Sequence, residues 1–215
     1  MAIEAKTKTV EDVYYQVTRT FGDEAAIQIN DRDIISFVNR AQNEVVLANY
    51  EINRASYKGT ITEGQTELAM GSIPDLLRVH MLTVNKILTS ALPLEQALKK
   101  ISDNGGEETG QVRNWYMFDN TIRFVEIPDK ESTFEIFYNR IPTQVTERAS
   151  SLDVPDSCFN LIVNWVLKFC YELDDDIQNA QARNGEIERD NQALRLDVRA
   201  QHGVSYAIRD VTGVY

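Results

Sequence analysis

The side chains with chemical potential in this chain are a run of carboxylates, two thiols and two imidazoles. Asp174, Asp175 and Asp176 form the densest charge run. They lack the alternating oxygen-ligand spacing and the central glycine of a calcium loop. They read instead as a solvated helix face, with an acidic channel lining as the alternative. His80 and His202 lie far in the pattern from Cys158 and Cys170, which leaves a Cys/His nucleophilic pair little material. The two cysteines are twelve residues apart with no second pair, which argues against zinc. No serine elbow occurs, and Ser72 and Ser157 sit beside prolines where helix capping explains them. The stretch Gly105–Gly110 resembles a phosphate loop only superficially. It lacks the Gly-Lys-Ser/Thr ending, and its two glutamates would repel phosphate. Trp115, Tyr116 and Phe118 could stack bases, but only Arg113 and Arg123 lie near, and a core strand accounts for the aromatics better. The expectation is a chain with no catalytic residues, no metal and no cofactor.

Charge narrows the partners further. The 215 residues carry 22 basic and 33 acidic side chains, a net charge of −11. A sequence-independent duplex binder needs a basic footprint, so wrapping DNA or lying on an anionic membrane is disfavoured. The longest apolar stretch, Leu161–Tyr171, is broken by Asn164 and Lys168 and falls short of the roughly 20 residues of a membrane span. The first residues hold no apolar signal region, so no export is expected. Cys158 and Cys170 share one apolar helical pattern and read as reduced, buried thiols of cytoplasmic origin.

The elements that position these groups follow from periodicity. Val10, Val13, Tyr14, Val17 and Phe21 recur at helical steps, with Thr9 and Asp12 spaced as a capping box. A second helix is expected from Asp31, as N-cap, to about Glu51, with Ile34, Val38, Ala41, Val45 and Ala48 on one stripe. The middle reads as β. Tyr57–Thr62 and Thr66–Met70 flank Glu63-Gly64-Gln65 as a hairpin, and Met81–Leu88 is a third strand. A short helix after Pro93 should turn Leu94, Leu98 and Ile101 inward, and Asp103–Gly110 should be a loop. Val112–Phe118 and Thr121–Ile127 surround a tight Asp119-Asn120 turn, and Ser132–Asn139 alternates as a strand. About six strands in hairpin order imply an antiparallel sheet.

Helix resumes after Asp153–Asp156, with Pro155 suited to a first turn. From Val166 a four-three alternation runs unbroken through Cys170, Leu173, Ile177, Ala180, Asn184, Ile187, Asn191 and Leu194 to Val198. It predicts either one long wall helix or two consecutive helices hinged at Gly185. Gly203 should end it. The residues beyond are mostly apolar: Val204, Tyr206 and Ile208 alternate, and Val211, Val214 and Tyr215 follow. Twelve residues are too few for a core and reach ~40 Å when extended. They need a groove, on another molecule or as an edge strand of their own domain.

Several phrases then converge. They are Ile35–Val45 in the second helix, Ile73–Val79 before a strand, Phe137–Pro142, the Val154-Pro155-Asp156 step, and Leu173–Gln181. Together with the layout they resemble the head-to-tail adaptor proteins of tailed bacteriophages, also called head completion or tail tubular proteins. The resemblance implies an α+β fold: a helical bundle (residues 1–54 and 151–202), an inserted antiparallel region (55–150) and a docking arm (203–215). It implies a virion protein assembled in the host cytoplasm into a self-ring, usually twelve-fold, at the head–tail interface. The partners implied are the portal, bound through Val204–Tyr215, and a tail or nozzle protein, with DNA only passing through and no membrane. An acidic helical interaction module and a small carboxylate-dependent enzyme are the competing readings.

Overall fold

The computed structural model describes residues 7–22, 29–49, 52–73, 75–106 and 108–202. The chain divides into two compact units, one made of residues 1–52 and 142–215 and the other of 53–141. The helical unit opens with α1 (Val10–Phe21), whose Thr9 and Asp12 form the expected capping box. In α2 (Asp31–Ala48) the cap is Asn30, one residue before the expected Asp31. Its side chain accepts from Asp33 N–H while Asp33 reaches back to the Asn30 amide. The expected spacing was present one position earlier, because an asparagine serves this role as well as an aspartate.

The second unit contains β1 (Arg54–Ile61), β2 (Glu67–Ala69), β3 (Leu76–Val84), β4 (Ile87–Leu88), β5 (Ser90–Ala91), α3 (Leu94–Asp103), β6 (Glu108–Gly110), β7 (Asn114–Phe118), β8 (Thr121–Phe124), β9 (Glu126–Pro128) and β10 (Ser132–Arg140). Strand order is β1-β10-β3-β4 in one sheet and β2-β8-β7-β5 in the other, with a β6-β9 pair besides. The β7–β8 turn and the alternation of β10 match expectation: Phe134, Ile136 and Tyr138 are buried. The expected β1–β2 hairpin does not form. A real turn exists, with Gln65 N–H donating to Thr62 C=O and Gly64 in the left-handed region at φ +75°. It carries the chain from one sheet to the other, so β1 pairs with β10 and β2 with β8. Local turn chemistry is the same in both cases, and only long-range pairing distinguishes them.

Three smaller differences share that cause. The Met81–Leu88 strand begins at Leu76 and is cut at Asn85-Lys86, both at positive φ. Residues 108–110, expected as loop, pair in parallel with β9, and β5 pairs in parallel with β7. In α3 it is Ala97 that is buried, against Tyr116 and Val125, while Leu94 and Leu98 are exposed. Side chains from both large sheets meet in one core, including Ile61, Leu82, Phe134 and Ile136 from the first and Leu68, Trp115, Ile122 and Phe124 from the second.

The chain returns to the helical unit as α4 (Phe159–Leu173) and α5 (Ile177–His202). Residues 142–150 group with the helices. Asn39 of α2 donates from Nδ2 to Val145 C=O (2.9 Å) and accepts from Val145 N–H (2.8 Å). α4 is the core of this unit, burying Leu161, Ile162, Val163, Val166, Leu167, Phe169 and Cys170 against α1, α2 and α5. The stripe is carried by two consecutive helices rather than one, and they meet at Asp174–Asp176, not at Gly185, which lies inside α5. The 3-4 stripe survives the break because each helix of an antiparallel pair carries its own stripe. The chain is therefore α+β, with the sheets inserted into a helical bundle. No helix among the described residues is long and apolar enough to cross a membrane.

Candidate functional site

The acidic run is the corner of the α4–α5 hairpin, rather than a helix face. Asp174 caps α4, donating its N–H to Cys170 C=O (3.1 Å). Asp175 takes the left-handed conformation at φ 56°, which aspartate tolerates better than most residues. Asp176 accepts from Asn179 N–H (3.1 Å) and Asn179 Nδ2 (2.6 Å), the geometry of an N-cap. Those hydrogen bonds hold its carboxyl below the usual range. Asp174 and Asp175 face solvent. The three carboxylates are thus explained as stop, turn and start signals. Among the described residues no group of His, Cys, Asp and Glu could hold a metal ion.

The remaining candidates are absorbed into the fold. Cys158 and Cys170 are buried and not disulfide-linked. Trp115 and Tyr116 are buried, so neither offers a face to a base, and Phe118 lies under the Arg123 guanidinium at 5.0 Å. One buried carboxylate gave no sequence signal, since its partners come from separate elements. Glu126, with its side chain 8% exposed, accepts from Lys100 Nζ (2.7 Å), Arg113 N–H (3.0 Å), Asn114 N–H (2.8 Å) and Asn114 Nδ2 (2.7 Å). Burial alone would raise its pKa, but the four donors together hold it below the ordinary value. It is a structural knot that ties α3 to the start of β7.

The surface that stands out belongs to α5. At 26 residues it is about 39 Å long, against about 22 Å for the 15 residues of α4 beside it. Among its described side chains it buries Ala180, Ile187 and Leu194, one residue every seventh position. Its other described contacts are polar. Asn164 donates to Asp190 (2.8 Å), Arg183 donates to Asn164 (3.3 Å), Asn49 donates to Asn191 (2.8 Å), and Arg195 donates to Ala48 C=O (2.9 Å). Ile177 and Leu196 remain about two-thirds exposed, at 68% and 67%. The arm residues Val204, Tyr206, Ile208, Val211, Val214 and Tyr215 lie outside the described residues.

The phrases singled out in the sequence turn out to hold crossings of the chain. Within Ile35–Val45, Asn39 clasps Val145, and Gln42 Oε1 accepts from Asp153 N–H (2.6 Å). Asp156 accepts from Thr7 N–H (2.9 Å), Thr7 Oγ1 (2.6 Å) and Lys8 N–H (3.1 Å), tying the segment before α1 to the start of α4. Burial pushes that carboxyl up, and the three bonds together bring it below its usual value. In the β unit, Asp75 accepts from Tyr138 Oη (3.1 Å), and its C=O accepts from Ile141 N–H (2.7 Å).

The chain is thus α+β, with two large sheets inserted in sequence between the helices. A family model described as SU10 adaptor protein matches residues 8–209, and the chain belongs to that family of phage head–tail adaptors. It is accordingly a bacteriophage adaptor and a component of the virion. The match takes in Val204, Tyr206 and Ile208 and stops before Val211. No curated protein matches the chain.

Proposed function

We propose that this adaptor forms a ring of identical subunits between portal and tail, extending the DNA channel, with Val204–Tyr215 docked on the portal. Twelve is the order implied by the adaptors it resembles. The observation that supports this reading best is the length of α5, 26 residues against 15 for α4 beside it, with much of its described surface uncovered. A helix that is polar nearly all round gains little from its own domain and is suited to bridging toward another molecule. The apolar residues that follow it in sequence would then find their groove on the portal, and many weak arms acting together would give avidity.

Charge supports the channel. Twelve copies at −11 each bring −132 of formal charge. Acidic side chains facing the lumen, with Asp174 and Asp175 as candidates at the hairpin corner, would repel DNA phosphates and let the genome pass. No reaction is assigned to any of these carboxylates, and assembly in the host cytoplasm and contact with a tail or nozzle protein complete the proposal.

Deleting residues 204–215 is expected to leave a folded subunit that no longer binds the portal in a pull-down. Unchanged capture would overturn the arm assignment. Electron microscopy of the full chain mixed with its portal reads the ring order directly. An acidic module acting only through charge would release the portal by about 0.5 M salt, where screening reduces the Debye length to a few Å, whereas an apolar arm would hold.

A further inference from the structure

The two large sheets end side by side in terminal strands, β1 and β2, whose open edges are finished differently. Phe124 N–H donates to Thr66 C=O and Met70 N–H to Asn120 C=O. In an antiparallel ladder this turns the amides of Thr66, Leu68 and Met70 toward β8 and those of Glu67 and Ala69 outward. Both outward carbonyls are already taken. Gln65 Nε2 donates to Glu67 C=O (2.8 Å) and Ser72 Oγ donates to Ala69 C=O (3.2 Å). The β2 edge is closed by its own side chains.

Among the described residues the β1 edge is open. Arg140 N–H donates to Asn53 C=O (3.1 Å), so the register turns residues 55, 57, 59 and 61 toward β10 and the amides of Arg54, Ser56, Lys58 and Thr60 outward. All four are exposed, no described strand pairs with that side, and no described side chain caps it as Gln65 and Ser72 cap β2. Outward groups at every second residue recur about every 6.8 Å, a spacing that an extended peptide matches. Beside them a cavity of about 300 Å³ opens between β1 and β2, lined by Tyr57, Gly59, Leu68, Met70, Ile73 and Phe134. Gly59 is bare because a Cβ there would stand 2.7 Å from the Phe134 ring. Tyr57 lies on the core side of its strand yet is 36% exposed, since nothing described closes the seam over it. Thr60 and Ser72 also line it, but most of the lining is apolar and asks for apolar side chains.

Charge selects the rest of the occupant. The only charged residues of β1 are Arg54 and Lys58, both basic, in a chain with an acidic excess. Lys58 makes a surface pair with Glu135 at 3.5 Å, with its side chain 73% exposed. Cross-strand pairs of opposite charge stabilise a ladder and like charges oppose it. A second β1 laid against this edge would set lysine and arginine against each other, the usual device against self-pairing. We propose that the outer edge of β1 receives one extended segment of a partner protein, apolar at alternate positions and acidic between them, as a fifth strand of its sheet. This surface does not depend on the portal-binding arm.

The test uses the full chain and a short peptide alternating valine with glutamate, read by amide exchange in solution. The peptide should slow exchange at Ser56, Lys58 and Thr60 by about tenfold or more, because those amides gain partners. A valine–lysine counterpart should bind about tenfold more weakly, and N-methylation of alternate peptide nitrogens should abolish binding. Ser56→Pro removes an outward N–H that the β10 ladder does not use, and should erase the slowing while β10 stays protected. Unchanged exchange with the valine–glutamate peptide overturns the proposal. So does equal binding of the N-methylated peptide, which would mean an apolar slot without strand addition. Protection that appears with rising concentration of the chain alone would put a second copy on the edge and overturn it too. Deleting residues 204–215 leaves each of these readings in place, so the two assignments fail separately.

Discussion

α4 and α5 are consecutive, antiparallel and joined by three residues, yet they are stabilised in different ways. α4 buries seven of its 15 residues and sits among three other helices. α5, with 26 residues, buries three that have been described, each seven apart. An isolated helix is marginal in water, and tertiary packing of an apolar face supplies most of its stability. α4 has that packing all round, whereas α5 has it along one narrow seam. The first helix forms the core of its unit, and the second keeps surface uncovered among its described residues, where the proposed ring contacts would fall.

This contrast is open to direct test. Phe169→Ala, which removes a ring packed against Phe37 and Trp165, should cost about 3–5 kcal/mol. Chemical denaturation of the free subunit checks it, and a loss below about 1 kcal/mol would mean that α4 is not the core. Ile187→Ala in α5 should cost about 2 kcal/mol, at the low end for such a truncation, because α5 packs along a single narrow seam. Hydrogen exchange should show the loss confined to α5, and opening of α1 and α2 at the same rate would erase the distinction between the two helices.

A pH titration separates the β unit from both helices. Glu126 has a folded-state pKa below its ordinary 4.5, so its contribution is complete above that value and is lost as pH falls through the folded value. Glu126→Gln should be less stable than the parent at neutral pH, and the difference should shrink on acidification below about pH 4. Urea midpoints of the β unit across that range check it, and a constant difference would mean that the carboxylate charge contributes nothing. The smallest effect belongs to Gly185. It lies within α5, with no atom within 4 Å of where a Cβ would be. Gly185→Ala should therefore stabilise α5 by about 0.5–1 kcal/mol. A destabilised variant would restore a hinge at that position.

Much of the helical unit is legible from local signals. Thr9 and Asp12 mark the start of α1, and the stripe of α2 is buried as its spacing requires, with Ile34, Val38, Ala41 and Val45 all inside. Ala48 ends that helix, short of the expected Glu51. The adaptor family was also visible in short phrases, and Asn39, Gln42 and Asp156 within them clasp distant backbone. Their clasping role was not visible, because a side chain's partner 106 or more residues away leaves no mark in periodicity.

Residue order and type alone decided where amphipathic helices begin, which strands alternate, and that the chain carries a net charge of −11. Those properties depend on neighbours within a few positions, or on simple sums. Folding in three dimensions decided the rest. It turned Asp174–Asp176 from a helix face into a corner, sent β1 and β2 to different sheets, buried Glu126 among four donors, and left the outer side of β1 without a partner among the described residues. Each outcome depends on which distant segment arrives to pair, and spacing along the chain does not encode that choice.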